Sequence, residues 1–98
     1  MTVYIDETGE SFRDIWEMIE PNPVEAMNLR MRSQLLDALE QRVNDWGLTQ
    51  KEAAKRLGIT QPRLNMLLKG RFDAFSLDAL IGLLEPAGLE IEFNVKAA

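Results

Sequence analysis

The chain has no cysteine and no histidine in its 98 residues. Without a thiol there is no disulfide framework, no thiolate metal site and no sulfur nucleophile. Without an imidazole the usual general base near neutral pH and the commonest zinc ligand are both missing. What is left for metal or acid–base chemistry is carboxylate. The densest acidic cluster, Asp6, Glu7 and Glu10, lacks the ligand spacing of a calcium loop. No organised carboxylate set stands elsewhere, so the expectation is no catalysis, no metal and no cofactor. Long apolar runs are missing too: none approaches the roughly 18 residues that read as a membrane span. The opening residues, MTVYIDETGE, are acidic, unlike a secretion signal. A cytoplasmic protein is the expectation.

What is present suffices for one domain with a modest core, since 46% of the residues are hydrophobic. The formal net charge of −5 argues superficially against nucleic acid, but its distribution does not. Residues 1–28 carry seven acids and one base, residues 29–71 nine bases and four acids, and residues 72–98 five acids and one base. A basic middle between acidic ends suits a surface that meets phosphate, with flanks of the opposite sign turned away.

Within that middle, TQKEAAKRLGITQPRLNMLLKG, Thr49 to Gly70, predicts two short helices joined by a tight turn. Thr49 suits an N-cap, and Glu52 three residues later makes the capping-box pattern. Ala53, Ala54 and Leu57 give a small, apolar face, and Gly58 supplies the positive φ that ends a helix. Thr60 can cap the second helix, with Pro62 tolerated in its first turn. Leu64, Leu67 and Leu68 give that helix its apolar side, and Gly70 ends it. Small residues at the crossing allow the close packing of a helix-turn-helix. From Thr49 to Arg71 there are six basic residues, Lys51, Lys55, Arg56, Arg63, Lys69 and Arg71, against the single acid Glu52. Gln61, Arg63 and Asn65, with Met66, sit at positions the leucines do not use. Gln, Arg and Asn are the side chains that make paired hydrogen bonds to base edges in the major groove.

This segment, with Arg71, resembles the helix-turn-helix core of the XRE family of phage-type repressors. The resemblance is closer to a subgroup of HigA-like antitoxins and their solitary relatives. In that subgroup a long helix precedes the motif, and a phrase similar to RFDAFSLDALIGLLEPAGLEIEFNV follows it. The likeness runs from about Ser11 to Lys96. It implies a mainly α, lambda-repressor-like bundle of about five helices with one C-terminal β-strand, paired across a dimer. It also implies that Gln50, at the start of the first helix, touches phosphate.

The remaining chain reads in order. Val3-Tyr4-Ile5 is β-prone, and residues 1–10 read as a frayed terminus, an arm that orders on a partner, or a strand against a sheet edge. Ser11 to Glu20 predicts a helix with Phe12, Ile15, Trp16 and Ile19 on one side. It packs on the domain or presents Phe12 and Trp16 to another protein. Asn22 and Pro23 open a helix of about 24 residues that ends at Gly47, with Val24, Met27, Met31, Leu35, Leu39, Val43 and Trp46 forming its apolar stripe. Arg30 and Arg32 lie off that stripe, as solvated charge or as phosphate contacts. Phe72 and Phe75 anchor a loop. Ser76 caps a helix to about Leu84, with Leu77, Leu80, Ile81 and Leu84 facing the core and Pro86 and Gly88 closing it. Leu89 to Val95 alternates with period two, as a strand does. A lone strand leaves its backbone groups unpaired. It can pair with Val3-Tyr4-Ile5, or with its own copy across a two-fold axis, the preferred expectation because dimers of such domains read paired half-sites.

The expected organisation is therefore an acidic arm and short helix over 1–22, a helical DNA-binding domain over 23–88 with its motif at 49–70, and a dimerising strand with tail over 89–98. The expected function is a sequence-specific repressor that binds operator duplex as a homodimer. Gln61, Arg63 and Asn65 are the expected base readers, and Pro62 and Met66 touch thymine methyl groups. Gln50, Thr60, Lys69 and Arg71 are the expected phosphate contacts. Leu89, Ile91, Phe93 and Val95 are the expected dimer contacts. The alternative is an antitoxin whose acidic residues 1–28 complement a small, basic, ribonuclease-type toxin, while the same protein represses its own operon.

Overall fold

Four glycines with left-handed backbone and four polar caps divide the helical part of the chain. In the computed structural model of the protein, which describes residues 1–6 and 22–97, the order is β1 (Thr2–Asp6), α1 (Pro23–Trp46), α2 (Gln50–Leu57), α3 (Gln61–Leu68), a 3-10 turn (Phe72–Ala74), α4 (Leu77–Ala87) and β2 (Glu90–Asn94). The described residues thus hold four α-helices where about five are expected. The expected helix over Ser11–Glu20, its exposed-face candidates Phe12 and Trp16, and the acidic residues Glu7 and Glu10 lie outside the described residues.

Each helix starts where a side-chain oxygen can take up a first-turn N–H. Asn22 Oδ1 accepts from Val24 N at 2.9 Å and from Glu25 N at 3.3 Å. Ser76 Oγ accepts from Ala79 N at 3.1 Å. Such a cap is worth about 1 kcal/mol. α4 runs on to Ala87, past the expected stop near Leu84, and carries Pro86 inside it. A proline in a last turn loses only one ladder bond, and Gly88, at φ 72, then ends the helix.

The long helix α1 is the backbone of the core. Leu35, Leu39, Leu64, Leu67, Phe75 and Leu80 are the largest fully buried side chains, and they come from α1, α3, α4 and the loop between the last two. Burying each leucine contributes about 2 kcal/mol or more. The stripe on α1 turns inward only from Met31 onward. Val24 is 73% exposed and Met27 40%, while Ala26 and Arg30 are the buried residues of the same turns. On α4, Ile81 is likewise exposed, and Leu83 takes the buried position expected of it.

Two arginines of α1 depart from the solvated or phosphate-bound roles expected of them. Arg30 is buried, at 7% exposure. Arg32 is half-buried and bonds within the chain: its Nε donates to Asn28 Oδ1 at 2.7 Å, and its Nη1 donates to the carbonyls of Phe72 at 3.1 Å and Phe75 at 3.4 Å. A third arginine, Arg42, donates from Nε to Ala87 O at 2.8 Å, at the C-terminal end of α4. A guanidinium there meets the carbonyls that a helix end leaves unpaired.

β1 and β2 pair in parallel, in the register Thr2↔Glu90, Val3↔Ile91, Tyr4↔Glu92, Ile5↔Phe93 and Asp6↔Asn94. Parallel neighbours need a long crossover, and here it is the whole helical body. The start of the chain is thus a strand over Thr2–Asp6 and not a frayed end. β2 finds its partner within its own chain, the alternative the sequence ranks second. Val3 and Leu89 are both buried, which fixes the sheet to the core. Leu89 is therefore a core residue and not a free dimer contact. Ile91 packs partly against the same core, whereas Phe93 is 55% exposed and Val95 89%.

Candidate nucleic-acid interface

The two short helices α2 and α3 are joined by only Gly58, Ile59 and Thr60. Thr49 Oγ1 accepts from Glu52 N at 3.2 Å and starts α2. Gly58, at φ 74, ends it, and Ile59 N donates back to Ala54 O at 3.0 Å. That bond pattern is a Schellman stop, which reverses the chain within a few residues. Ile59 packs partly against the core and holds the turn down. Thr60 Oγ1 accepts from Arg63 N at 3.3 Å and starts α3. At the other end Arg71 N donates to Met66 O at 3.1 Å across Gly70. Ala53, Ala54 and Leu57 of α2 are buried, as are Leu64 and Leu67 of α3. The small alanines let the second helix cross close to the first.

What this packing leaves outside is an arc of α3. At 100° per residue, Gln61, Pro62, Asn65, Met66 and Lys69 fall within about 140° of one another, and the buried leucines lie on the far side. Gln61, Pro62, Met66 and Lys69 are exposed, and Asn65 is half-buried. Of the expected base readers, Gln61, Pro62, Asn65 and Met66 therefore share one outward surface. Arg63 lies beside that arc. It is half-buried, and its Cζ lies over the Phe75 ring, 4.3 Å from the centroid.

The expected phosphate contacts border the same surface. Gln50 is the first residue of α2 and is exposed. Thr60 is exposed and has its hydroxyl proton left to donate while its oxygen caps α3. Lys69 closes α3 and is exposed. Arg71 is exposed, and its Nε lies 3.9 Å from Asp73 Oδ1. An ion pair that open to water is weak and yields to a phosphate.

The structure also sorts the basic middle of the chain. Arg30 is buried, and Arg32 and Arg42 are committed to backbone carbonyls. Lys51, Lys55, Arg56, Lys69 and Arg71 are exposed, and Arg63 is partly so. Among the described residues of that basic middle, the exposed positive charge is therefore concentrated on the two short helices and on Lys69 and Arg71 just after them. Arg56 lies over the Trp46 ring, 4.2 Å from its centroid. Neither aromatic platform, Trp46 or Phe75, is legible as such in the sequence, because each meets its arginine across a turn and has no local spacing signature.

A family model described as a helix-turn-helix domain matches residues 18–96. The match covers most of the chain, and the chain belongs to that helix-turn-helix domain family. No curated protein matches it. No helix among the described residues is long and apolar enough to cross a membrane.

Proposed function

We propose that this protein is a sequence-specific DNA-binding regulator, acting as a homodimeric repressor of the XRE type in the cytoplasm. The observation that carries this is the exposed polar arc of α3, capped at its N-terminus, packed on its leucine side and bordered by cations. A helix of that kind lies in the major groove with its N-terminal residues nearest the bases. Gln61 and Asn65 offer the paired donor and acceptor that match adenine, and Arg63 the fork that matches guanine. Pro62 and Met66 offer apolar surface to thymine methyl groups. Gln50, Thr60, Lys69 and Arg71 hold phosphate and set the register but carry no sequence information. With no histidine or cysteine to supply a nucleophile or base, binding and not turnover is the activity we assign.

The dimer reading rests on β2. β1 occupies one edge of it, and no strand among the described residues pairs with the other. Two copies running antiparallel about Phe93 would place Phe93 opposite Phe93, Ile91 opposite Val95, and Glu90 opposite Lys96. That register keeps apolar residues on one face and sets no acid against an acid. Two copies of α3 would then read half-sites about one helical turn, roughly 34 Å, apart. Selection of bound duplexes from a random pool, with the mass of the complex measured, tests the reading. It predicts a two-fold symmetric consensus and two chains per duplex. Recovery of unrelated sequences would sink it.

The second reading is the HigA-like antitoxin, and what supports it is the acidity of residues 1–28. A basic toxin would be drawn to them electrostatically, and the two readings are compatible. A small, basic reading frame beside the gene raises this reading, and isolation lowers it. Because Val3 is part of the core, its test should reverse the charge of Glu10, Asp14 and Glu17 and leave β1 intact. Capture of a neighbour-encoded toxin should then be lost; unchanged capture would remove the acidic segment from the contact.

A further inference from the structure

We propose that Phe75 is a positioning residue for base recognition. Its ring holds the Arg63 guanidinium in the orientation that meets a guanine, and Arg32 holds Phe75 in place. The inference rests on the reading of α3 as the helix that enters the groove. It goes beyond that reading because neither Phe75 nor Arg32 lies on α3 or faces a duplex.

Phe75 is 1% exposed, so its ring is immobilised by the core. Its carbonyl accepts from Arg32 Nη1 at 3.4 Å, beside the 3.1 Å bond from the same nitrogen to Phe72 O. Arg32 is itself anchored by Asn28 Oδ1 at 2.7 Å. A line of fixed groups thus runs from α1, through the loop after α3, to the ring under Arg63. The Arg63 Cζ lies 4.3 Å above that ring. A guanidinium is planar with its N–H donors around its rim, and attraction to an aromatic face holds it against that face. Arg63 remains half-exposed, so part of that rim is open to a ligand beside the outward arc. Two parallel donors on a rigid fork match the O6 and N7 of guanine. An arginine on an open helix face must give up several rotatable bonds to adopt such a pose. Here the ring restricts them in the free protein, so less freedom is lost on binding.

The test uses the full chain and the duplex that selection enriches. Binding is measured with each base pair changed in turn, for the parent and for Arg63→Ala, Phe75→Leu, Arg32→Lys and the Phe75→Leu/Arg63→Ala pair. Circular dichroism and thermal melting check that each is folded. Phe75→Leu should lower the preference for guanine at the Arg63 step by about three- to tenfold. It should leave the salt dependence unchanged and add no further loss once Arg63 is alanine. Arg32→Lys, which leaves the core intact, should weaken the same preference and no other, and decides the matter if Phe75→Leu does not fold. Full discrimination in a folded Phe75→Leu protein, or in Arg32→Lys when Phe75→Leu is unfolded, overturns the positioning role alone. If Arg63→Ala weakens all duplexes alike and flattens the salt dependence, Arg63 holds phosphate and the proposal is overturned. If selection enriches no sequence, the assignment of α3 falls and this inference with it.

Discussion

Arg32 Nη1 donates to the carbonyl of Phe72 at 3.1 Å, forty residues further along the chain. One side chain from the middle of α1 thus closes the loop that follows α3, the helix our reading assigns to the groove. Hydrogen bonds from a charged donor to partly buried carbonyls contribute about 1.5–3 kcal/mol. Arg32→Ala should therefore lower unfolding free energy by about 2 kcal/mol in urea titration, while the slope of binding against salt stays as in the parent. A lower salt slope with unchanged stability would return Arg32 to the phosphate contacts.

Gly58 and Gly88 have nearly the same left-handed backbone, at φ 74 and 72, but different surroundings. A Cβ at Gly58 would meet nothing within 4 Å, whereas one at Gly88 would lie 3.0 Å from Arg42 Nη2. Gly58→Ala should cost only the backbone term, about 1 kcal/mol. Gly88→Ala should cost more, because Arg42 must shift and its bond to Ala87 O is disturbed. Thermal denaturation of the two variants side by side checks the order. Equal losses would mean that the Arg42 bond adds little to the end of α4.

Phe93 is more than half exposed, while Leu89, four residues earlier in the same alternation, is in the core. Phe93→Asp should therefore leave the fold intact by circular dichroism and convert a dimer to a monomer in sedimentation. It should also make operator binding weaker and steeper in protein concentration, since assembly then happens on the DNA. A parent that sediments as a monomer, or a variant that stays dimeric, would remove β2 from the dimer interface.

The local signals were legible in the sequence, and the distant ones were not. Asn22, Thr49, Thr60 and Ser76 cap the helices that their positions announce, and Gly47 and Gly58 end helices as expected. These are contacts within three or four residues. The length of α1 was likewise readable, but not which part of its stripe is covered. Val24 and Met27 keep the helical spacing and are exposed all the same, since spacing says which side a residue is on and not how far the neighbours extend. Arg30 and Arg32 look like surface charge because their role depends on packing partners that spacing does not reveal. The same holds for β2: its alternation identifies a strand, but the partner 88 positions away is a matter of tertiary packing, as the bond from Glu90 N to Met1 O lies outside any local pattern. At the candidate interface the residue types on α3 were readable, and the sideways lean of Arg63 toward Phe75 was not.

The central claim is that the outward arc of α3 meets DNA. Its most direct test is quantitative binding of the selected duplex by Gln61→Ala and Lys69→Ala across a range of salt. Both residues are exposed, so both variants should fold as the parent does. Gln61→Ala should lose about 1–3 kcal/mol of discrimination at one base pair and keep the parent salt slope. Lys69→Ala should weaken all duplexes alike and reduce the slope by about 0.9 for each copy bound. Parent-like affinity and salt dependence in both variants would contradict the account.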